Sequence, residues 1–169
     1  EAIRLGDVYA KKAAISYEMS GQLRVARDWY AKAQDFNKVG ALLVEQGKVE
    51  EAIELYKTED MPQRLAQLYE DQQRYLDAAH IYQGLKQSRK QENLYRKAMI
   101  KGDDVTSQQA RLLLAQLYTQ QRRLEEARRF FDEASTALAE SDAYDHLRDL
   151  LTLRDQVEFA LMRASGPPL

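Results

Sequence analysis

From Val39 to Tyr56, VGALLVEQGKVEEAIELY, apolar residues fall at spacings of one, three and four on either side of Gly47. That spacing predicts two amphipathic helical faces joined by about two residues, an antiparallel helical hairpin. Gly40 and Ala52 are the expected point of close approach between its two backbones. The pattern recurs. Ala26, Ala52 and Ala78 stand 26 residues apart; twelve before each are Ala14, Gly40 and Ala66, nine before are Tyr17, Leu43 and Tyr69, and four after are Tyr30, Tyr56 and Tyr82. A further copy anchored on Ala127 includes Leu114, Ala115, Tyr118, Leu124, Phe130 and Phe131. The hinge glycines Gly21 and Gly47 suit the left-handed conformation that ends a helix. Gln73 and Arg122 hold the same position in the other copies, where a side chain costs on the order of 1 kcal/mol, so those hinges are expected to turn differently.

The predicted layout is one helical-repeat domain over 1–169, with hairpins at about 7–33, 34–59 and 60–86, an irregular helix at 87–101, a hairpin at 106–139 and a C-terminal helix at 142–164. Between Ala78 and Ala127 the spacing is 49, and KQSRKQEN interrupts the pattern, so Leu76–Leu85 can close a third hairpin or open a fourth. Gly102, Asp103 and Asp104 break the chain, and Thr106 or Ser107 is expected to cap the next helix. The last helix carries a stripe of Tyr144, Leu147, Leu151, Val157 and Leu161, widened by Leu150, Leu153, Phe159 and Met162, and is expected to end at Gly166, Pro167 and Pro168. The chain begins at Glu1, and EAIRLGD is similar to AMIKGDD further on, so Glu1–Leu5 reads as the tail of a preceding hairpin in a longer protein.

Small residue, aromatic three on, Ala twelve on, aromatic sixteen on and Ala nineteen on is an arrangement that resembles the tetratricopeptide repeat. Ala14, Tyr17, Ala26, Tyr30 and Ala33 match it in full, as do Ala115, Tyr118, Ala127, Phe131 and Ala134. The family repeats every 34 residues or so, whereas three copies here repeat every 26, a shortened period that looks more like clathrin-type and intraflagellar-transport-type helical repeats. The resemblance implies an all-α, right-handed superhelical solenoid of antiparallel hairpins that binds another protein on its concave face.

Composition narrows the chemistry. Lys and Arg total 25 against 27 Asp and Glu, so no global field gathers nucleic acid or anionic lipid. With no cysteine there is neither a disulfide framework nor a thiolate metal site, which fits a reducing compartment, with the cytoplasm as the expected location. No apolar run reaches the roughly 20 residues that span a bilayer, so no membrane insertion is expected. His80 and His146 each lack a second histidine at helical spacing, and the carboxylate pairs Glu50–Glu51, Asp103–Asp104 and Glu125–Glu126 stand at helix starts, where they complement the helix dipole. No catalytic set, cofactor site, metal site or phosphate loop is expected, and the chain reads as a non-enzyme.

Carried over from the family, the groove positions are Val8, Lys11, Ile15, Glu18 and Met19 in the first hairpin and Asn37, Lys38, Ala41, Val44 and Glu45 in the second. Gln63, Arg64, Gln67, Glu70 and Asp71 follow in the third, and Gln109, Leu112, Leu113, Gln116 and Gln120 in the last. They do not reproduce the two-carboxylate clamp of Lys and Asn across adjacent repeats. Instead Val8, Ile15, Met19, Ala41 and Val44 form an apolar strip rimmed by Lys11, Lys38, Glu18 and Glu45, the layout of a groove for a partner helix or peptide. A neighbouring helix of a longer parent could equally cover that strip. The expected function is a non-enzymatic protein-interaction scaffold or adaptor. The second reading is self-assembly into a homo-oligomer through the C-terminal helix. The third is weak binding of nucleic acid or an acidic peptide by Lys86, Arg89 and Lys90 or by Arg122, Arg123, Arg128 and Arg129.

Overall fold

A computed structural model describes residues 5–140 and 144–165, with side chains at 5–136 and 151–164. The expected tail at Glu1–Leu5 falls almost entirely outside these residues, as do the closing Gly166, Pro167 and Pro168. Every element among the described residues is helical. They are α1 (Leu5–Met19), α2 (Leu23–Lys32), α3 (Phe36–Glu45), α4 (Val49–Thr58), α5 (Pro62–Asp71), α6 (Tyr75–Gly84), α7 (Ser88–Lys101), α8 (Asp104–Gln120), α9 (Leu124–Glu140) and α10 (Tyr144–Ser165). The chain gathers into two compact units, Glu1–Leu68 and Tyr69–Leu169, with the boundary inside α5.

One turn builds most of this architecture. The backbone enters the left-handed region at Gly21, Gln34, Gly47, Asp60, Gln73 and Lys86, which follow each other at intervals of 13 residues. At each, the left-handed N–H donates to the carbonyl three residues back and the next N–H to the carbonyl five back, as in Gly47 to Val44 (2.9 Å) and Lys48 to Leu43 (2.8 Å). This pair of bonds closes a helix by the Schellman arrangement. The residue just after the left-handed one has φ near −90° and starts the next helix, its own carbonyl accepting from the N–H four residues on, as Lys48 does from Ala52. Ten helical residues, one helix-ending residue, one left-handed residue and one helix-starting residue make up each step from α2 to α6 and leave little room for variation in length.

The repeat tyrosines sit where this turn is tied. The five-back carbonyls belong to Tyr17, Tyr30, Leu43, Tyr56, Tyr69, Tyr82 and Tyr118. An apolar contact normally spans the two ends of that bond. In two turns a cation replaces it: the Arg74 guanidinium lies 4.6 Å from the Tyr69 ring centroid and that of Arg123 lies 4.0 Å from Tyr118. Gln73 and Arg122 thus turn as the glycines do, at φ 58° and 60°, and not differently as their side chains led us to expect. The bonds that close the turn outweigh a cost of about 1 kcal/mol for placing a side chain there.

In the first unit α1 packs on α2, α2 on α3 and α3 on α4. Its core is Ala14, Ala26, Tyr30, Leu42, Ala52, Ile53 and Tyr56. Gly40 meets the Tyr56 ring: a Cβ on Gly40 would fall inside that ring's van der Waals envelope. In the second unit α6 packs on α7, α7 on α8, α8 on α9 and α9 on α10. Its core runs from Ala78 and Tyr82 through Leu94, Tyr95, Ala98, Leu114 and Tyr118 to Phe131 and Val157.

At Gly102 the 13-residue rhythm stops. The backbone there is extended, and α8 starts with the Asp103 side chain accepting from the Thr106 N–H at 2.8 Å. Asp103, not Thr106 or Ser107, is the cap; the Ser107 hydroxyl instead donates back to the Met99 carbonyl at 2.9 Å. Beyond this point α8 and α9 each span 17 residues. In α10 Val157 is buried and Leu151, Leu153 and Leu161 are half-buried, while Phe159 and Met162 point outward and take no part in the packed stripe. Residues 142 and 143, where the last helix was expected to start, and the side chains of Tyr144, Leu147 and Leu150 lie outside the described set.

The turn geometry can be checked by substitution. Gly47→Ala should lower stability by about 1 kcal/mol, because the left-handed backbone penalises a Cβ that has open space around it. Lys86→Gly should leave stability unchanged or raise it by up to about 1 kcal/mol, the relief of strain being offset by the extra freedom of glycine in the unfolded chain. Urea midpoints of the two variants read both effects.

Candidate functional site

The predicted groove positions lie on the odd-numbered helices, whose starts are set by the turns just described. Several of their polar members are engaged with neighbouring helices. Lys11 Nζ on α1 is 2.6 Å from Oδ2 of Asp35, the residue that starts α3. Lys38 Nζ on α3 reaches back to Glu18 Oε1 on α1 at 3.0 Å, and the buried Tyr30 hydroxyl of α2 donates to the other oxygen of Glu18. The Lys38 ammonium also sits 5.6 Å from the Tyr30 ring centroid. Arg64 Nε on α5 donates to Asn37 Oδ1 on α3 at 2.5 Å. In the second unit Lys97 Nζ on α7 is 3.3 Å from Glu70 Oε2 on α5.

These contacts shift the titrating groups. The Tyr30 hydroxyl and the Lys38 ammonium hold the Glu18 carboxyl below its ordinary value. Burial, reinforced by the Glu18 charge, pushes Tyr30 up to about 12. Burial also pushes Asp35 upward, but Lys11, together with the Lys38 N–H and ammonium, outweighs it and leaves the carboxyl low.

What the pairs leave accessible is apolar. Val8 and Ile15 on α1 are 37% and 43% exposed, Met19 is 85% exposed, Ala41 on α3 is exposed and Val44 is half-buried. The structure thus brings Lys11, Glu18 and Lys38 together in one bracing network and leaves Glu45, Gln63 and Gln67 exposed beside it. The charged rim expected around the strip is largely self-neutralised. Asp35 and Tyr30 were not among the expected groove residues, although both are indispensable to the brace. The signal for Asp35 was its place as an Asp just before a helical run, where its side chain also accepts from the Lys38 N–H at 3.3 Å.

In the second unit Gln116 and Gln120 of α8 border a cavity of about 270 Å³ floored by Phe131 and Val157, with Gln156 of α10 opposite. The basic clusters are partly neutralised. Glu92 on α7 takes Arg123 at 3.1 Å, Arg96 at 3.2 Å and the Tyr118 hydroxyl at 2.7 Å, while Arg123 also pairs with Glu126 and Arg129 with Glu133. Lys90 lies over the Tyr82 ring at 4.6 Å, so that tyrosine is not open to a base. Burial pushes the Glu92 carboxyl upward, but Tyr118, Arg96 and Arg123 outweigh it and hold it low. His80 is exposed on α6. Among the described residues no group of three His, Cys, Asp or Glu side chains is placed to hold a metal ion, and no helix is long and apolar enough to cross a membrane.

The Glu18 brace sets a pH dependence. A carboxyl whose folded value is depressed contributes stability above its ordinary value and loses it as the pH falls through the folded one. Glu18→Gln should therefore flatten the acid limb of the unfolding curve below about pH 4.5 relative to the parent chain, as followed by thermal melts at descending pH.

Residues 108–137, spanning most of α8 and α9, match the family model of the tetratricopeptide repeat. No curated protein matches the chain in sequence. Among solved structures, a Podosopora anserina chain of nearly identical TPR-like repeats, described as a kinesin light chain's, is similar at 12% identity and TM-score 0.39, over 94% of this chain and 96% of that one. The apo form of RapI is similar at 13% identity and TM-score 0.42, over 97% of this chain and 70% of its own. Short helices closed every 13 residues, followed by a longer helical pair whose residues 108–137 are similar to the tetratricopeptide repeat, make the described chain an all-α arrangement of helical hairpins.

Proposed function

We propose that the chain is a protein-binding scaffold that receives an amphipathic helix or an extended peptide on the face formed by α1 and α3. The observation that carries this reading is the contrast on that face. Lys11, Glu18, Asn37 and Lys38 are engaged with neighbouring helices, so the face is braced before any partner arrives, while Ile15, Ala41 and Val8 are left accessible between them. A rigid, apolar surface with a neutralised rim loses little entropy or hydration on binding. It selects for apolar anchors at helical spacing and not for charge. Met19 at its end can adapt its shape to such anchors.

The test uses peptides of helical pattern selected by display against the immobilised chain. Their binding should weaken at least tenfold in the double variant Ile15→Asp, Ala41→Glu. Because both positions are exposed, helicity by circular dichroism should be retained. Peptides that bind the variant as well as the parent would exclude the α1–α3 face.

A further inference from the structure

We propose that copies of this chain associate head to tail, the outward face of α1 in one copy docking on the outward face of α10 in the next. Helix α1 starts at Leu5, whereas the equivalent positions of α3, α5 and α7 open a helix only at Phe36, Pro62 and Ser88, so α1 carries an extra turn. That turn and the face continuing from it expose Leu5 (75%), Tyr9 (68%) and Met19 (85%), with Lys12 between them. In α3, α5 and α7 the position 26, 52 or 78 residues after Ser16 is a buried leucine: Leu42, Leu68 and Leu94. In α1 that position is an exposed serine. The helix's apolar anchors have moved to Leu5 and Tyr9.

The matching surface is on α10. Phe159 and Met162 are 63% and 68% exposed, with Arg163 5.8 Å from the Phe159 ring centroid, and the Asp155 side chain, 66% exposed and paired with Arg154 at 3.2 Å, lies on the same helix face one turn before Phe159. Read along α1, the order is Leu5, Tyr9, Lys12; read backwards along α10, it is Met162, Phe159, Asp155. The spacings of four then three and of three then four residues bring each apolar residue against an apolar one, and the ammonium of Lys12 against the carboxylate of Asp155, when the two helices run antiparallel. Size, polarity and charge agree in one register. Because the two faces differ, the contact is heterologous, and a first contact leaves one face of each kind free for a further one. A single helix-on-helix contact lies at or below the low end of specific interfaces, about 1,200 Å², so association is expected in the micromolar range.

Sedimentation velocity from about 10 to several hundred micromolar is the test, a range set by that interface size. The parent chain should gain mass continuously with concentration. Tyr9→Asp and Phe159→Asp should each remain monomeric, and an equal mixture of the two should form a species of twice the mass and stop there, since only one intact pair of faces remains. Lys12→Asp should weaken association, and adding Asp155→Lys in the same chain should restore it; that pair touches no apolar contact and guards against a folding defect. A parent chain that is monomeric throughout overturns the proposal and leaves both faces for a different protein. So does a Tyr9→Asp variant that associates like the parent while Phe159→Asp does not, which would mean α10 pairing with α10.

Discussion

The left-handed residue that closes each short helix is the constraint on which the rest depends. A Schellman turn ties off a helix by two backbone bonds at once, and here the residue that receives the second bond also begins the next helix. Helix length and turn length are then fixed together, and from Gly21 to Lys86 the chain can only advance in steps of 13 residues. The tyrosine whose carbonyl accepts the longer bond is carried to the same place in nearly every step, and its ring fills the space between successive helices. Side-chain identity at the left-handed position matters less, for Gln, Asp and Lys are held there by bonds that a substitution on their side chains does not remove.

This rhythm also makes the candidate binding face. Since odd helices return to equivalent positions every 26 residues, a basic side chain near the start of one comes beside an acceptor on the one before, as Lys38 does with Glu18 and Arg64 with Asn37. Exposed ion pairs of this kind contribute modestly to stability. Their larger consequence is to remove charge and mobility from the rim of the apolar strip. When the rhythm stops at Gly102, the helices lengthen to 17 residues each, and it is there that the tetratricopeptide-repeat family model finds its match.

Much of the fold was legible because small and aromatic residues mark helix contacts directly: Ala26, Ala52, Ala78, Tyr30, Tyr56 and Tyr82 are all buried as their spacing implied. The 13-residue step was not, because the turns between hairpins carry Gln34, Asp60 and Lys86 where those within hairpins carry Gly21, Gly47 and Gln73, and no single residue type marks all six. The contact of the Tyr56 ring with Gly40 was not legible either, since it is set by side-chain direction and not by spacing. For the candidate site, exposure of Ile15 and Ala41 followed from helical phase. The pairing of Lys11 with Asp35 and of Glu18 with Tyr30 did not, since partners 24 and 12 residues apart meet only once three helices are placed.

Nuclear magnetic resonance reads the left-handed turns directly. A residue with positive φ brings its own N–H and Hα close and gives a strong intraresidue cross-peak, whereas a helical residue gives a weak one. Strong cross-peaks at Gln34, Asp60, Gln73 and Lys86, with weak ones through the helices between them, are what the structure requires. Weak, helix-like cross-peaks at Gln34, Asp60 and Lys86 would mean that the helices run on through those positions, and the 13-residue step would be wrong.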